Sequence, residues 1–125
     1  MSKIWMKTGL AIFSLCIVQS IYAQKSTEMF IPLGQSPGLS GEYTRLGKVN
    51  AVNILNKTLT MSDSAGSYTF KITDSTQLWL DQSRLNLKNK TASIQDIRKG
   101  MRVEIKYMKN KKRGDVEWVK IQLAE

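Results

Sequence analysis

The sequence predicts an all-β fold, a small antiparallel barrel of five to six strands with one short helix. Three observations predict it. From Leu46 onward, apolar residues alternate with polar ones at a period of two, the mark of half-buried strands. Each alternating run lasts only five to nine residues before a Gly, Asp, Asn or Ser turn. Closure of the sheet would also remove the unpaired edges that a domain of about 100 residues otherwise exposes. An open sheet covered by the helix and the preceding arm is the alternative.

Residues 1–23 read as a secretory signal peptide. Lys3 and Lys7 precede the apolar run Leu10 to Val18, which is shorter than the roughly 20 residues a bilayer-spanning helix needs. Ala23 supplies a small residue before the expected cut. A lipoprotein acylated at Cys16 is the rival, but Leu15 stands where a small residue is wanted. Cleavage after Ala23 removes 23 of the 125 residues, among them Lys3, Lys7 and Cys16. It leaves 102 residues without cysteine and lowers the net charge from +9 to +7. Export to the periplasm or beyond is therefore expected. A core of this size can hold together without disulfides.

Residues 24–45 form an irregular arm carrying both prolines, Pro32 and Pro37, with Gly34, Gly38 and Gly41. Phe30, Ile31, Leu33 and Leu39 give it enough apolar character to dock on the barrel as a plug, where a disordered linker would carry fewer such residues. The barrel domain then spans 46–125. Strand one runs from Leu46 to Ile54, with Gly47 and Ala51 suggesting a bend or bulge. Strand two is Thr58 to Ser62, with Leu59 and Met61 on one face. Asp63 to Gly66 make a turn. Strand three, Ser67 to Thr73, turns Tyr68, Phe70 and Ile72 inward. After a break at Asp74 and Ser75, strand four covers Thr76 to Asp81 and sends Leu78 and Leu80 to one side, Trp79 to the other.

Gln82 to Thr91 lacks any sustained period and reads as a long exposed loop. Ser93 caps a short helix, Ile94 to Arg98, with Asp96 at the positive end of its dipole and Lys99 and Gly100 at its close. Strand five places Met101, Val103, Ile105 and Tyr107 inward. A hairpin tip, Lys109 to Asp115, leads to strand six, with Val119, Ile121 and Leu123 inward and Trp118, Lys120 and Gln122 outward. Short strands with one small helix between the fourth and fifth point to a barrel of the OB type.

Composition removes several chemistries. Without histidine there is no imidazole base or ligand, and a lone cysteine makes neither an internal disulfide nor a thiolate zinc site. Asp74, Asp81, Asp96 and Asp115 fall among turns and caps with no calcium-loop spacing, so no enzyme activity, metal or cofactor is expected. The outward faces carry the candidate ligand-binding set Trp79, Trp118, Lys71, Arg102, Lys106 and Lys120, since cations neutralise a polyanion while flat rings stack on bases or sugars. The competing reading lays the arm or the Gln82 to Thr91 loop over those rings. Lys109, Lys111, Lys112 and Arg113 form the densest cationic run, suited to an anionic surface such as a membrane or nucleic acid. Arg113-Gly114-Asp115 spells an integrin-binding tripeptide but is also ordinary turn chemistry.

Gly47-Lys-Val-Asn-Ala-Val52, then Thr58-Leu-Thr-Met61, then Ala92-Ser-Ile-Gln-Asp-Ile-Arg-Lys-Gly-Met-Arg-Val-Glu-Ile105 together resemble a secreted bacterial domain of unknown function called DUF5666. Its repeats read Gly-x-Val-x-x-Val, Leu-Thr-Val and Leu-x-x-Leu-x-x-Gly-Asp-x-Val-x-Val. Met101 stands where that family usually has Asp. The resemblance implies an OB-like fold and no established activity, so it transfers no functional residue. A likeness to periplasmic copper-binding barrels stops at the glycine and valine pattern, because His is absent and Met29, Met61, Met101 and Met108 are scattered. The expected function is an exported, non-catalytic binding module of the bacterial envelope for an anionic ligand: a glycan, lipopolysaccharide or nucleic acid. An assembly protein that docks on an envelope partner by its arm or a strand edge is the second expectation.

Overall fold

The computed structural model describes residues 27–107 and 116–123. The expected signal peptide, residues 1–23, and the cationic run Lys109, Lys111, Lys112 and Arg113 lie outside the described residues. Seven strands form one sheet: β1 Thr44–Asn53, β2 Thr58–Asp63, β3 Gly66–Lys71, β4 Gln77–Asp81, β5 Lys90–Thr91, β6 Arg102–Tyr107 and β7 Val116–Gln122. Their order is β3-β2-β1-β6-β7-β4-β5.

This corrects the expected barrel in three respects. The sheet is open, it has seven strands where five to six were expected, and β4 runs parallel to β7. β3 and β4 are consecutive in the chain yet nearly at opposite ends of the order, so the backbone of residues 72–76 spans the gap that hydrogen bonds leave open. Thr76 anchors that crossing, its hydroxyl donating to the Val116 carbonyl at 2.8 Å. Two elements within the expected Gln82 to Thr91 loop were not anticipated: a 3-10 turn at Ser83–Leu85 and the two-residue β5. The expected helix from Ile94 shrinks to a 3-10 turn, Ile94–Asp96, its start fixed by the Ser93 N–H donating to Asp96 Oδ2 at 2.8 Å.

Alternation sorts the core as expected. Val49, Leu59, Met61, Phe70, Ile72, Met101, Val103, Ile105, Val119 and Ile121 gather on one face, and Ile97 packs in from the loop before β6. Two bulges keep this face apolar. Between Val49 and Ala51 the register shifts by one, so Asn50 is extra and Val52 returns to the face opposite Leu59. Between Lys106 and Tyr107, Glu117 is the extra residue, which swings Val116 into the core. Leu123, expected inward, lies past the end of β7 and is exposed.

Gly47 lies on the inward face of β1, opposite Val103 and against the backbone of β2. A Cβ there would sit 2.5 Å from Met61 Cε and nearer still to the Ser62 carbonyl oxygen. Met61 can yield, but the backbone carbonyl is held in the β1–β2 ladder. Gly47→Ala is therefore expected to cost about 1–3 kcal/mol as an overpacked site, read as a lower urea midpoint at unchanged slope.

Candidate functional site

The opposite face of the sheet carries the residues that alternation turns outward. From β6 come Arg102, Glu104 and Lys106; from β7, Trp118, Lys120 and Gln122; from β4, Trp79 and Asp81. Cross-strand register sets Glu104 beside Lys120, Lys120 beside Trp79, and Gln122 between Arg102 and Asp81. Apart from the half-buried Arg102 and Lys106, these side chains do not face water. The arm lies across them, and Trp79, Asp81, Glu104, Trp118, Lys120 and Gln122 are all buried. Leu33 is buried with them, while Ile31 and Leu39 are half-buried and Phe30 stays out.

Three ions hold the arm in place, each saturated with partners. The Lys120 ammonium has three donors and uses all of them: the Ile31 carbonyl at 2.8 Å, the Glu28 carbonyl at 3.0 Å and Glu28 Oε1 at 3.2 Å. It also lies 4.9 Å from the Trp118 ring centre and 5.9 Å from that of Trp79, within cation–π range. The two rings are 5.4 Å apart and tilted by 34°. Glu104 accepts from the Gly34 N–H at 2.9 Å and from the hydroxyls of Ser40 and Thr44 at 2.5 and 2.8 Å. Asp81 accepts from the N–H groups of Leu33 and Ser83 at 2.7 and 2.8 Å and from the Gln122 amide at 2.9 Å. Asn89 completes the set by donating to the Met29 carbonyl at 2.9 Å. No buried side-chain nitrogen or oxygen among the described residues lacks a partner.

Burial alone would raise the Asp81 carboxyl. The Ser83 hydroxyl, the N–H groups of Leu33 and Ser83 and the Lys120 charge outweigh it and hold the group below the usual carboxylate range. Because the folded value lies under the unfolded one, near 3.9, its stabilisation is complete above about pH 4 and is lost as pH falls through the folded value. The gap in urea midpoint between the wild type and Asp81→Asn should accordingly be widest near neutral pH and shrink as the pH is taken below about 4.

The sequence-derived candidates therefore divide. Trp79, Trp118 and Lys120 do come together, but as the floor beneath the arm. Arg102 is half-buried and donates to Gln122 at 2.7 Å, and Lys106 pairs with Glu117. Lys71 is exposed on β3, with β2 and β1 between it and β6. Among the described residues no group of three His, Cys, Asp or Glu side chains could hold a metal ion. No helix there is long and apolar enough to cross a membrane.

Other cations are better placed to meet a ligand. The described acids are largely consumed: Glu28, Asp81 and Glu104 under the arm, Asp63 by Arg45, Asp74 by Lys57, Glu117 by Lys106 and Asp96 in its cap. Lys48, Lys71, Lys88, Lys90, Arg98 and Lys99 are exposed and have no ion-pair partner among the described residues. Most of them share one end of the sheet. The row Lys48, Arg102, Gln122, Asp81 crosses β1, β6, β7 and β4. Arg98 and Lys99 lead into it, with the Gly100 N–H donating to the Val49 carbonyl at 2.8 Å, and Lys88 and Lys90 follow from Asp81. Apart from Lys71, sequence reasoning overlooked these residues because they stand singly or, for Arg98 and Lys99, as one pair, unlike the dense run at Lys109. Comparison of this chain with protein families, curated proteins and solved structures finds no match.

Proposed function

We propose that this protein is an exported, non-catalytic module of the bacterial envelope that binds anionic polymers or surfaces with the cations at one end of its sheet. The observation carrying this reading is the segregation of charge. Asp81 and Glu104 are buried beneath the arm with Lys120 as the one buried cation among the described residues, so the exposed surface is more cationic than the composition implies. The indole pair has no part in binding on this reading, because the arm already occupies its face. Residues 1–23 as a signal peptide, a periplasmic or secreted destination, and the DUF5666 resemblance are consistent with such a module. The sheet is further read as an OB-type barrel whose seam is left open, with β3 and β4 as two halves of one interrupted strand.

Affinity for single-stranded DNA, used as a model polyanion, should fall steeply with salt. Replacing Lys48, Arg98 and Lys99 together by Gln should weaken binding and reduce the log–log salt slope by about 2, since each neutralised phosphate of a single strand contributes roughly 0.7. All three are exposed, so thermal unfolding should not change. A slope the triple variant leaves untouched would remove this surface from the reading.

A second reading, assembly with an envelope protein, is favoured by β3, which stands at the end of the sheet with one edge unpaired. The arm, once a second route to the same function, is engaged on its own sheet. Recovery of a single stoichiometric envelope protein, with no affinity for polyanions, would favour assembly.

A further inference from the structure

Between β4 and β5 the chain makes an ordered excursion whose apolar side chains point away from the protein. The Leu85 N–H donates to the Gln82 carbonyl at 2.9 Å and the Asn86 N–H to the Ser83 carbonyl at 3.1 Å. Asn86 then takes a left-handed conformation, φ 57°, which reverses the chain so that the Leu87 N–H returns to the Gln82 carbonyl at 3.2 Å. Both feet are fastened. Ser83 donates to Asp81, and the Gln82 N–H donates to Asn89 Oδ1 at 2.7 Å. Asn89 in turn holds the Met29 carbonyl, which brings the helical turn 27–30 alongside.

Leu85 and Leu87 are 55% and 56% exposed on this loop, and Phe30, next to Met29, is 47% exposed. Lys88 and Lys90 stand exposed at the base of the loop. A loop that merely connected two strands would gain nothing by fixing two leucines in water. Leucines held outward beside two exposed lysines suit a surface with negative charge outside and hydrocarbon beneath it. A soluble polyanion would use the lysines and leave the leucines idle.

We propose that Gln82 to Lys90 docks the protein on an anionic lipid surface, with Leu85 and Leu87 entering the acyl boundary and Lys88 and Lys90 meeting the headgroups. This rests on the anion-binding reading above and names its ligand class. Lipid carries what the lysines alone do not explain.

The test is co-sedimentation of the full chain with phosphatidylglycerol–phosphatidylcholine vesicles and with pure phosphatidylcholine vesicles, beside single-stranded DNA binding. The wild type should bind the anionic vesicles. Leu85→Ser with Leu87→Ser should weaken that binding at least tenfold and leave DNA affinity unchanged. Should the double variant misfold, Leu87→Cys in a Cys16→Ser background, carrying an environment-sensitive dye, should shift to the blue on anionic vesicles. An unmoved dye, or a leucine variant that binds vesicles like the wild type, would overturn the proposal. DNA binding with indifference to vesicles would overturn this inference alone, whereas indifference to both would also overturn the anion-binding function.

Discussion

Replacing Lys120 by methionine is expected to destabilise the protein by about 3–5 kcal/mol, the range for removing one member of a buried ion pair. Methionine matches the four-atom apolar stem and lacks only the terminal nitrogen, so packing against Trp79 and Trp118 is largely kept. What disappears is the ammonium. The carbonyls of Glu28 and Ile31 lose their shared donor, and the Glu28 carboxylate loses its counter-ion. Glu28 keeps some access to water, its side chain being 19% exposed, which places the cost toward the lower end of the range. Urea unfolding gives the magnitude. Limited proteolysis gives the location, because early cleavage should fall among residues 27–43 while β6 and β7 stay protected.

Glu104→Ala should also destabilise the protein, by a different route that costs about 1–3 kcal/mol for each donor left unpaired out of water. The carboxylate collects three donors from the arm and from the start of β1, and it is fully buried. Truncation strands the buried Thr44 hydroxyl, at the full cost of an unpaired buried donor, and the half-buried Gly34 N–H and Ser40 hydroxyl at less. Glu104→Gln should be milder, since one amide oxygen still accepts. Its remaining amide hydrogens then face donors, so recovery is partial. Thermal melts that rank the wild type above Gln and Gln above Ala would bear this out, and equal melts for Gln and Ala would count against it. Glu104 and Lys120 are cross-strand neighbours, so a double variant should lose less than the sum.

Period-two patterning made the core face legible, strand by strand, because the buried inward residues are apolar and the strands are bounded by turns. The same pattern misled on the other face. Along β7 the alternation of Trp118, Lys120 and Gln122 with Val119 and Ile121 separates two faces but says nothing about what covers either one. A buried lysine leaves no local mark when its counter-ion, Glu28, lies 92 residues away. The apolar residues of the arm did signal docking, and the structure bears that out for Leu33. Openness of the sheet was illegible because it hangs on the short break at residues 72–76. The parallel pairing of β4 with β7 was hidden for the same reason, since no local pattern distinguishes a parallel neighbour. Lys48, Lys88, Lys90, Arg98 and Lys99 were visible as letters. Their gathering at one end of the sheet follows only from register.

Anions must meet the protein away from Trp79 and Trp118 if the arm keeps that face closed. Tryptophan emission tests this most directly, measured on the full chain carrying Trp5→Phe so that Trp79 and Trp118 alone report. A closed face predicts a blue-shifted spectrum that resists acrylamide quenching and stays unchanged as single-stranded DNA saturates the protein, saturation being followed independently by anisotropy of labelled DNA. Emission that is red-shifted and readily quenched, or that moves in step with DNA binding, would contradict it and return the indoles to the ligand site.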